Sequence, residues 1–293
     1  MTDRDSSRSL ERGEEATERS DLAFRLAFGG YVGVLLAGIV ASVLALTDRP
    51  SIVVLGATVV ALLSGCLVAI ALARHAGGLA VWLGGTRGRR SAIVLLAGPF
   101  GMATAASLVT AFPSRFTNAT LGAGIVVAIV GAVLGWMAQS RAVNAVTGDE
   151  PAATWQWQPP SSPKLDAVLL ATWALLGATA AASGDWAESM LWAGLAAFWV
   201  CSSLVEGRWR VGSVGETPEI RVYDAGLVKQ RPYTRSLVSW SDVSHVRVRE
   251  DELVLDRGLF DVRFDRDELA ELEAIRAEIE RHLPDGVPSA VAE

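Results

Sequence analysis

The stretch that decides the fold is SMLWAGLAAFWVCSSLV, residues Ser189–Val205, which lies between Glu188 and Glu206 and contains no charged residue. At about 1.5 Å of rise per residue, a helix over this stretch and its edge residues crosses the hydrocarbon core of a bilayer. The sequence from Gly207 onward is charged, alternating and interrupted by turns. We therefore predict that this stretch is the last membrane span and that it leads into a water-soluble domain.

The composition of the whole chain also indicates a membrane protein. The chain has 293 residues, of which 51% are apolar and 20% are charged, and its mean hydropathy is +0.34. A soluble domain carries about 25% charged residues. The net charge of -6 argues against a nucleic-acid partner. Cys66 and Cys201 each lie in an apolar stretch, which predicts buried hydrophobic residues and no disulfide or metal framework.

Six uncharged intervals are long enough to be spanning helices. The alternative is a set of buried helices in a large soluble core, but such helices seldom exceed about 20 residues without one charge. We predict a polar tail at 1–22, a six-span α-helical bundle at 23–206, a soluble domain at 207–284 and a second tail at 285–293. The spans are predicted at approximately 26–47, 50–73, 91–114, 116–140, 167–184 and 186–205.

The placement of basic residues predicts the orientation in the membrane. The basic residues on one side are Arg4, Arg8, Arg12, Arg19 and Arg25 in the first tail, Arg74, Arg87, Arg89 and Arg90 after the second span, Arg141 and Lys164 after the fourth, and Arg208 and Arg210 after the last, whereas the opposite loops hold only Arg49 and Arg115. Basic segments stay in the cytoplasm during insertion, so we predict a multi-pass protein of the cell membrane with both termini cytoplasmic. The first tail is either disordered or a polar helix continuous with the first span, and we expect disorder.

Small residues and a proline predict how the spans pack. Two pairs with small-xxx-small spacing permit close approach of helices, and we interpret them as packing positions within the bundle and not as a dimerisation motif: Gly29 with Gly33, and Gly131 with Gly135. Pro99 lies inside the third span and predicts a kink there. The loop at 141–164 is a poor helix, and its Trp155 and Trp157 are expected either at the membrane interface or on the soluble domain.

Beyond Pro218 the period of the apolar residues changes to two, which predicts strands. In the first strand, Ile220 and Val222 alternate with polar neighbours, and Gly226 marks the following turn. Further short strands are predicted at 227–230, 236–240, 243–248, 253–256 and 260–264. Short strands separated by tight turns indicate an antiparallel meander.

The last part of the domain has the period of an amphipathic helix. Asp265 as the N-cap, with Glu268 as its capping-box partner, predicts the start of this helix. Phe264 and Leu269 are spaced as a hydrophobic staple. One apolar stripe, which must cover the sheet, consists of Leu269, Leu272, Ile275, Ile279 and Leu283, and Pro284 with Gly286 ends the helix.

A meander of six or seven strands closed by one helix resembles the pleckstrin-homology-like (PH-like) superfold. More narrowly, the segment at about 215–284 is similar to bacterial PH-like domains of the YcxB-type group that are attached to membrane spans. The resemblance rests on IRVYDAGLVKQ, on LVSWSDVSHVRV, on the short LVL and VRF strands and on the helix ELAELEAIRAEIERHL. The step Trp240-Ser241-Asp242-Val243 matches a recurring Trp-Ser-Asp-apolar step of such domains. The resemblance implies no catalytic signature and no cofactor.

The candidate binding residues are Lys229, Arg231 and Arg235 in the segment KQRPYTR. In PH-like domains the corresponding early hairpin can contact lipid phosphates, so the resemblance implies that these residues bind anionic headgroups. Each basic residue near an anionic leaflet contributes about 1 kcal/mol. The alternative is a solvated turn balanced by the many acids of the domain. Because Pro232 interrupts the three charges, the sequence alone favours this alternative.

The sequence carries no recognisable catalytic constellation. It has only three histidines, without metal-binding spacing, and no phosphate-binding glycine motif. Ser64-Gly65 resembles an intramembrane protease step, but no span contains a histidine to act as its base. We therefore predict no enzymatic activity, no catalytic residue, no metal and no cofactor.

Two functions remain for the sequence. The first is a membrane anchor for a cytoplasmic PH-like domain that serves as a scaffold or regulator, with the bilayer and either anionic lipid headgroups or another membrane protein as partners. The alternative is a small permease or channel regulated by its soluble domain. The six intervals that define the spans contain no Asp, Glu, Lys, Arg or His. Proton coupling through a carboxylate therefore has no candidate within them.

Overall fold

The structure is a computed structural model that describes residues 3–110, 112–147, 150–160, 162–209, 217–248, 252–258, 261–269, 271–282 and 289–291, with side chains described between residues 22 and 282. Within these residues, six helical segments are long and apolar enough to cross a membrane. They are followed by a small domain of two sheets and a helix. The coarse prediction of a multi-pass helical protein with a small α+β domain is confirmed.

The helices before the soluble domain differ from the predicted spans at several places. They are α1 (Asp3–Leu44), α2 (Ser51–His75), α3 (Leu79–Gly84), α4 (Arg87–Leu95), α5 (Gly98–Val109), α6 (Ser114–Val146), α7 (Pro163–Ala182) and α8 (Trp186–Val205). Among the differences are the short helix α3 and the end of α6, which continues into the predicted loop as far as Val146. Helix α1 begins at Asp3, so the first tail is a helix continuous with the first span and the expectation of disorder was wrong. The third span consists of α4 and α5, which are separated at Leu96 and Ala97. Pro99 lies in the first turn of α5, so the predicted kink is confirmed as a break.

Glycines set the distance between α1 and α2. A Cβ atom on Gly33 would lie 2.4 Å from Cys66 Sγ and 2.6 Å from the backbone oxygen of Leu62. A Cβ atom on Gly29 would lie 2.6 Å from Cγ1 of Ile70. Only glycine fits at these positions without a shift of the neighbouring helix. The prediction that Gly29 and Gly33 are packing positions within the bundle is confirmed.

A buried tyrosine compensates for the break in the third span. The hydroxyl of Tyr31, on α1, donates to the carbonyl oxygen of Ile93 at 2.7 Å. Ile93 lies in the last turn of α4, where carbonyl groups lose their helical partners. Gly131, on α6, leaves room for this arrangement, since a Cβ there would lie 3.2 Å from the Tyr31 ring.

A second compact unit comprises residues 139–170 and 199–293 and contains the soluble domain. Its strands are β1 (Ala153–Gln156), β2 (Glu219–Tyr223), β3 (Gly226–Gln230), β4 (Arg235–Ser239), β5 (His245–Val248), β6 (Glu252–Asp256), β7 (Val262–Asp265) and β8 (Ser289–Val291). One sheet has the antiparallel order β1-β2-β3-β4, and the other has the order β7-β6-β5-β8. In the second sheet β5 pairs with β8 in parallel and with β6 antiparallel.

Two of these strands lie outside the segment to which the sequence assigned the domain. β1 comes from the loop at 141–164, for which no strand was predicted, and it places Trp155 and Trp157 on the soluble domain. β8 comes from the segment at 285–293, which was assigned to a tail. Both strands are short and are recognisable only through their pairing, with β2 and with β5 respectively.

The core of the domain lies between the sheets and the last helix, α9 (Leu272–His282). The apolar stripe at 269, 272, 275 and 279 is almost fully buried in this core, as predicted. However, Asp265 ends β7, so its predicted role as N-cap of the helix was wrong. The predicted capping box and staple therefore do not form at the start of α9. Phe260, Leu283, Pro284 and Gly286 lie outside the described residues.

Helices α7 and α8 form an insertion between β1 and β2. The register places Gln156, Glu219, Gln230 and Arg235 in one row, so the end of β1, the start of β2 and the β3–β4 turn lie at the same edge of the first sheet. The basic segment KQRPYTR (229–235) includes this turn. The chain therefore leaves the domain toward α7 and returns from α8 at the edge that carries this segment. The Thr234 hydroxyl in this turn donates to the carbonyl oxygen of Val205, the last residue of α8, at 3.2 Å.

Candidate anion-binding site

Lys229 lies on the core face of the first sheet. Opposite and alternating positions in the register place it on the same face as Ile220, Val222 and Leu227, all of which are fully buried in the core. Its ammonium group lies 4.0 Å from the ring centre of Phe264 and 5.3 Å from that of Trp157. Both distances are within the range of a cation–π attraction.

Trp157 forms a fixed aromatic platform for the site. Its backbone N–H donates to the carbonyl oxygen of Pro218 at 3.1 Å, and its indole Nε1 donates to Oε2 of Glu268 at 3.0 Å. The Trp157 ring meets the Phe264 ring edge to face, with 6.3 Å between the ring centres. Both rings are buried, so the surface under Lys229 is rigid and apolar.

Arg231 adds a second cation to the same indole ring. It follows β3 directly, and its guanidinium carbon lies 5.7 Å from the ring centre of Trp157. Its backbone N–H donates to the carbonyl oxygen of Thr234 at 2.8 Å, which closes the β3–β4 turn. Its Nε atom is inaccessible to water and has no hydrogen-bond partner among the described residues. Such a buried donor costs about 1–3 kcal/mol when it has no acceptor.

Burial is the main electrostatic influence on the two cations of the site. Burial lowers the pKa of Lys229 to about 8; the charge of Arg231 lowers it as well, while Glu268 acts in the opposite direction. Burial also lowers the pKa of Arg231, with Glu206 opposing this effect and Arg208 adding to it. Both side chains are half-buried. A solvated turn would leave these groups hydrated, so this alternative does not fit Lys229 and Arg231.

Arg235, the third predicted residue, has different partners. Its guanidinium donates to Oδ1 of Asn144 at 2.9 Å, and its backbone N–H donates to the hydroxyl of Ser140 at 3.1 Å. Both partners lie near the end of α6. The structure therefore brings Lys229 and Arg231 together on Trp157 and holds Arg235 against the end of α6.

Asp166 is a buried carboxylate of the same compact unit, and the sequence predicted no role for it. It lies in the first turn of α7 and is 2% exposed. Its two oxygens accept hydrogen bonds from the indole Nε1 of Trp199 at 3.2 Å and of Trp209 at 3.0 Å. The guanidinium of Arg208 lies 5.4 Å from the ring centre of Trp199. The indoles of Trp199 and Trp209 are thus joined through one carboxylate.

Sequence reasoning also missed the roles of Trp157, Phe264 and Glu268 in the site. The available signal was weak, because Trp157 lies 61 positions before Pro218 in a loop, and Glu268 fits a capping box equally well. Among the residues that the structure describes, no three His, Cys, Asp or Glu side chains are grouped to hold a metal ion. No protein-family model, no curated protein and no solved structure matches this chain.

Proposed function

We propose that this chain is an integral protein of the cell membrane whose six spans anchor a PH-like domain on the cytoplasmic side, with both termini in the cytoplasm. The domain binds anionic lipid headgroups through Lys229 and Arg231 and serves as a scaffold or regulator without enzymatic activity. The observation that carries this proposal is the pair of half-buried cations on Trp157, at the sheet edge where the chain leaves toward α7 and returns from α8. Headgroup phosphates lie where spanning helices end, so this edge is suited to contact them.

The strand order supports the PH-like part of the proposal. Strands β1–β4 and β5–β7 form two antiparallel meanders, and α9 packs its apolar stripe into the core between them. The Trp-Ser-Asp step forms a 3-10 turn (Trp240–Asp242) between β4 and β5. The indole Nε1 of Trp240 donates to the carbonyl oxygen of Tyr223 at 2.9 Å, which fixes this turn on the first sheet.

Lipid binding is tested with the full-length protein in detergent micelles. Isothermal titration calorimetry with dioctanoyl-phosphatidylglycerol is expected to show saturable binding, and dioctanoyl-phosphatidylcholine is expected to bind about tenfold more weakly or not at all. Lys229→Met and Arg231→Met each weaken binding by about tenfold. Arg263→Met, on an exposed part of β7, is the matched control and leaves binding unchanged. Equal binding of both lipids would contradict the proposal.

The orientation is tested by labelling single cysteines in a variant without Cys66 and Cys201. Arg89 lies in the first turn of α4, at the start of the third span, and Asp224 lies in the exposed β2–β3 turn of the soluble domain. Cysteines at these two positions are expected to react with a membrane-impermeant maleimide only after the cells are opened. Reaction of either cysteine in intact cells would contradict the proposed orientation.

A permease or channel is the second candidate function. The interruption of the third span at Leu96 and Ala97 favours it, because discontinuous helices form the binding sites of many transporters. Solute flux in proteoliposomes distinguishes the candidates. Saturable uptake that is lost in a Pro99→Leu variant supports the permease, whereas lipid binding without flux supports the membrane-anchored binding domain.

A further inference from the structure

The proposed headgroup site contains a group whose charge can change when a ligand arrives. We propose that Lys229 is partly deprotonated in the anion-free site and is reprotonated when an anion binds beside Arg231, so that anion binding is coupled to proton uptake. This inference rests on the proposed function, since it concerns the regulation of the same site. Such coupling makes the affinity of the site for an anion depend on pH, and Lys229 is the residue responsible.

Among the described residues, no carboxylate forms an ion pair with the ammonium group of Lys229. It lies above Phe264 and Trp157, and the described residues place no carboxylate within hydrogen-bond distance of it. The acid that faces it, Glu268, already accepts a hydrogen bond from the Trp157 indole. The neighbouring Arg231 has the same sign of charge. The cation–π attraction of the two rings favours the ammonium form, whereas burial on the core face of the sheet, the larger effect, and the like charge of Arg231 favour the neutral amine.

An anion that contacts Lys229 and Arg231 reverses both effects. It supplies the missing negative charge and accepts hydrogen bonds, and each of these favours the protonated amine. Within the described part of the chain, Glu206 and Arg208 also act on Arg231, and they form an ion pair with each other at 2.8 Å. The bound anion therefore raises the pKa of Lys229, and the amine takes up a proton from the solvent.

The sign of the pH dependence follows from linkage. With a pKa of about 8 in the anion-free protein, Lys229 is half-protonated near that pH. If the pKa of the bound form is higher, binding near pH 8 takes up about half a proton, and the affinity falls as the pH rises above about 8. Well below that pH the amine is already protonated, so the affinity no longer depends on it.

The chain contains only two lysines, Lys164 and Lys229, which allows a direct test. Pulse acetylation of the full-length protein in detergent, followed by peptide mass spectrometry, measures the reactivity of each amine against pH. The labelling of Lys229 is expected to reach half of its maximum near pH 8, with the exposed Lys164 as the internal reference for the reagent. A Lys229 midpoint more than one unit above that value would overturn the inference.

Adding anions identifies what the site recognises. Dioctanoyl-phosphatidylglycerol is expected to raise the Lys229 labelling midpoint by about one unit or more and to leave Lys164 unchanged. If inorganic phosphate at the same concentration has the same effect, the site recognises the phosphate group itself; if only the lipid acts, it recognises a headgroup. Either result supports the inference. No shift with either anion would overturn it.

Calorimetry separates this inference from the proposed function. Phosphatidylglycerol is a phosphodiester, so the lipid itself neither binds nor releases a proton near about pH 8. Titrations at this pH in two buffers of different ionisation enthalpy therefore measure the protons that the protein takes up. About half a proton is expected for the natural protein, and none for Lys229→Arg, which keeps the positive charge. Binding without proton uptake by the natural protein would overturn the inference and leave the proposed function standing. Absence of binding would overturn both.

Discussion

The two compact units of this protein are both rich in apolar residues, but each is stabilised internally by a different kind of contact. In the first unit, residues 1–138 and 171–198, large apolar side chains such as Leu72 and Val109 are mostly exposed, and the helices meet at small residues such as Gly33. In the second unit, Ile275 and its neighbours are fully buried. Lipid solvates apolar side chains and water does not, so burial stabilises the second unit, whereas close packing and hydrogen bonds stabilise the first.

The largest effect is expected from the core of the soluble domain. Ile275→Ala removes a fully buried side chain on α9 and costs about 4 kcal/mol, because it loses transfer free energy and leaves a cavity. Hydrogen exchange of the full-length protein in detergent should show loss of protection in β5 and β6. Glu273→Ala, at an exposed position of the same helix, is the control and should change little.

Equal loss of protection in both variants would show that α9 does not contribute its apolar stripe to a core. Loss of protection in α1 and α2 together with the sheet would contradict the description of two compact units.

The next effect breaks the glycine contact in the first unit. Gly33→Ala places a Cβ against Cys66 Sγ and the backbone of Leu62 and costs about 2 kcal/mol, although alanine has the better helix propensity. Gly30→Ala adds the same atom where nothing lies within 4 Å and should stabilise by about 0.5 kcal/mol. Thermal unfolding in micelles measures both. A melting temperature that rises for Gly33→Ala as for Gly30→Ala would contradict the glycine-mediated packing of α1 and α2.

The spans were predictable because their signal is local. An uncharged interval of sufficient length is evident without any partner, and Gly29 with Gly33 could be recognised by spacing alone. The stripe at Leu272, Ile275 and Ile279 was predictable for the same reason, since a helical period needs no partner. The N-cap at Asp265 was not, because the residues that begin a helix also end strands.

The composition of the candidate site was only partly predictable. The sequence placed Lys229, Arg231 and Arg235 together, but their separation into two groups depends on side-chain direction in β3 and on the end of α6. Trp157 reaches Lys229 only because β1 pairs with β2 across an insertion of two helices. Such long-range pairing leaves no periodic signal in the sequence.

The next comparison concerns hydrogen bonds from indoles to carboxylates, of which Asp166 in the second unit accepts two and Glu188 in the first unit accepts one. Asp166→Asn leaves one buried indole N–H facing an amide N–H and is expected to cost about 2 kcal/mol. In the first unit, Trp192 donates to Glu188 at 3.1 Å in an exposed position, so Glu188→Gln should cost less than about 0.5 kcal/mol. Urea unfolding monitored by tryptophan fluorescence measures both. Equal costs would show that the burial of Asp166 contributes nothing.

The smallest effect concerns a hydroxyl contact between α5 and α6. The Thr104 hydroxyl donates to that of Thr120 at 2.8 Å, and Thr120 is 1% exposed. Thr120→Val keeps the shape and removes the acceptor, with an expected cost of about 0.6 kcal/mol, the average for such bonds between membrane helices. Thr179→Val is the control, because the exposed Thr179 hydroxyl donates only within α7, to the carbonyl oxygen of Leu176 at 2.9 Å. If the two variants unfold at the same urea concentration, hydroxyl bonds add nothing to the first unit. Its stability would then rest on packing at small residues, which would sharpen the contrast with the buried apolar core around Ile275.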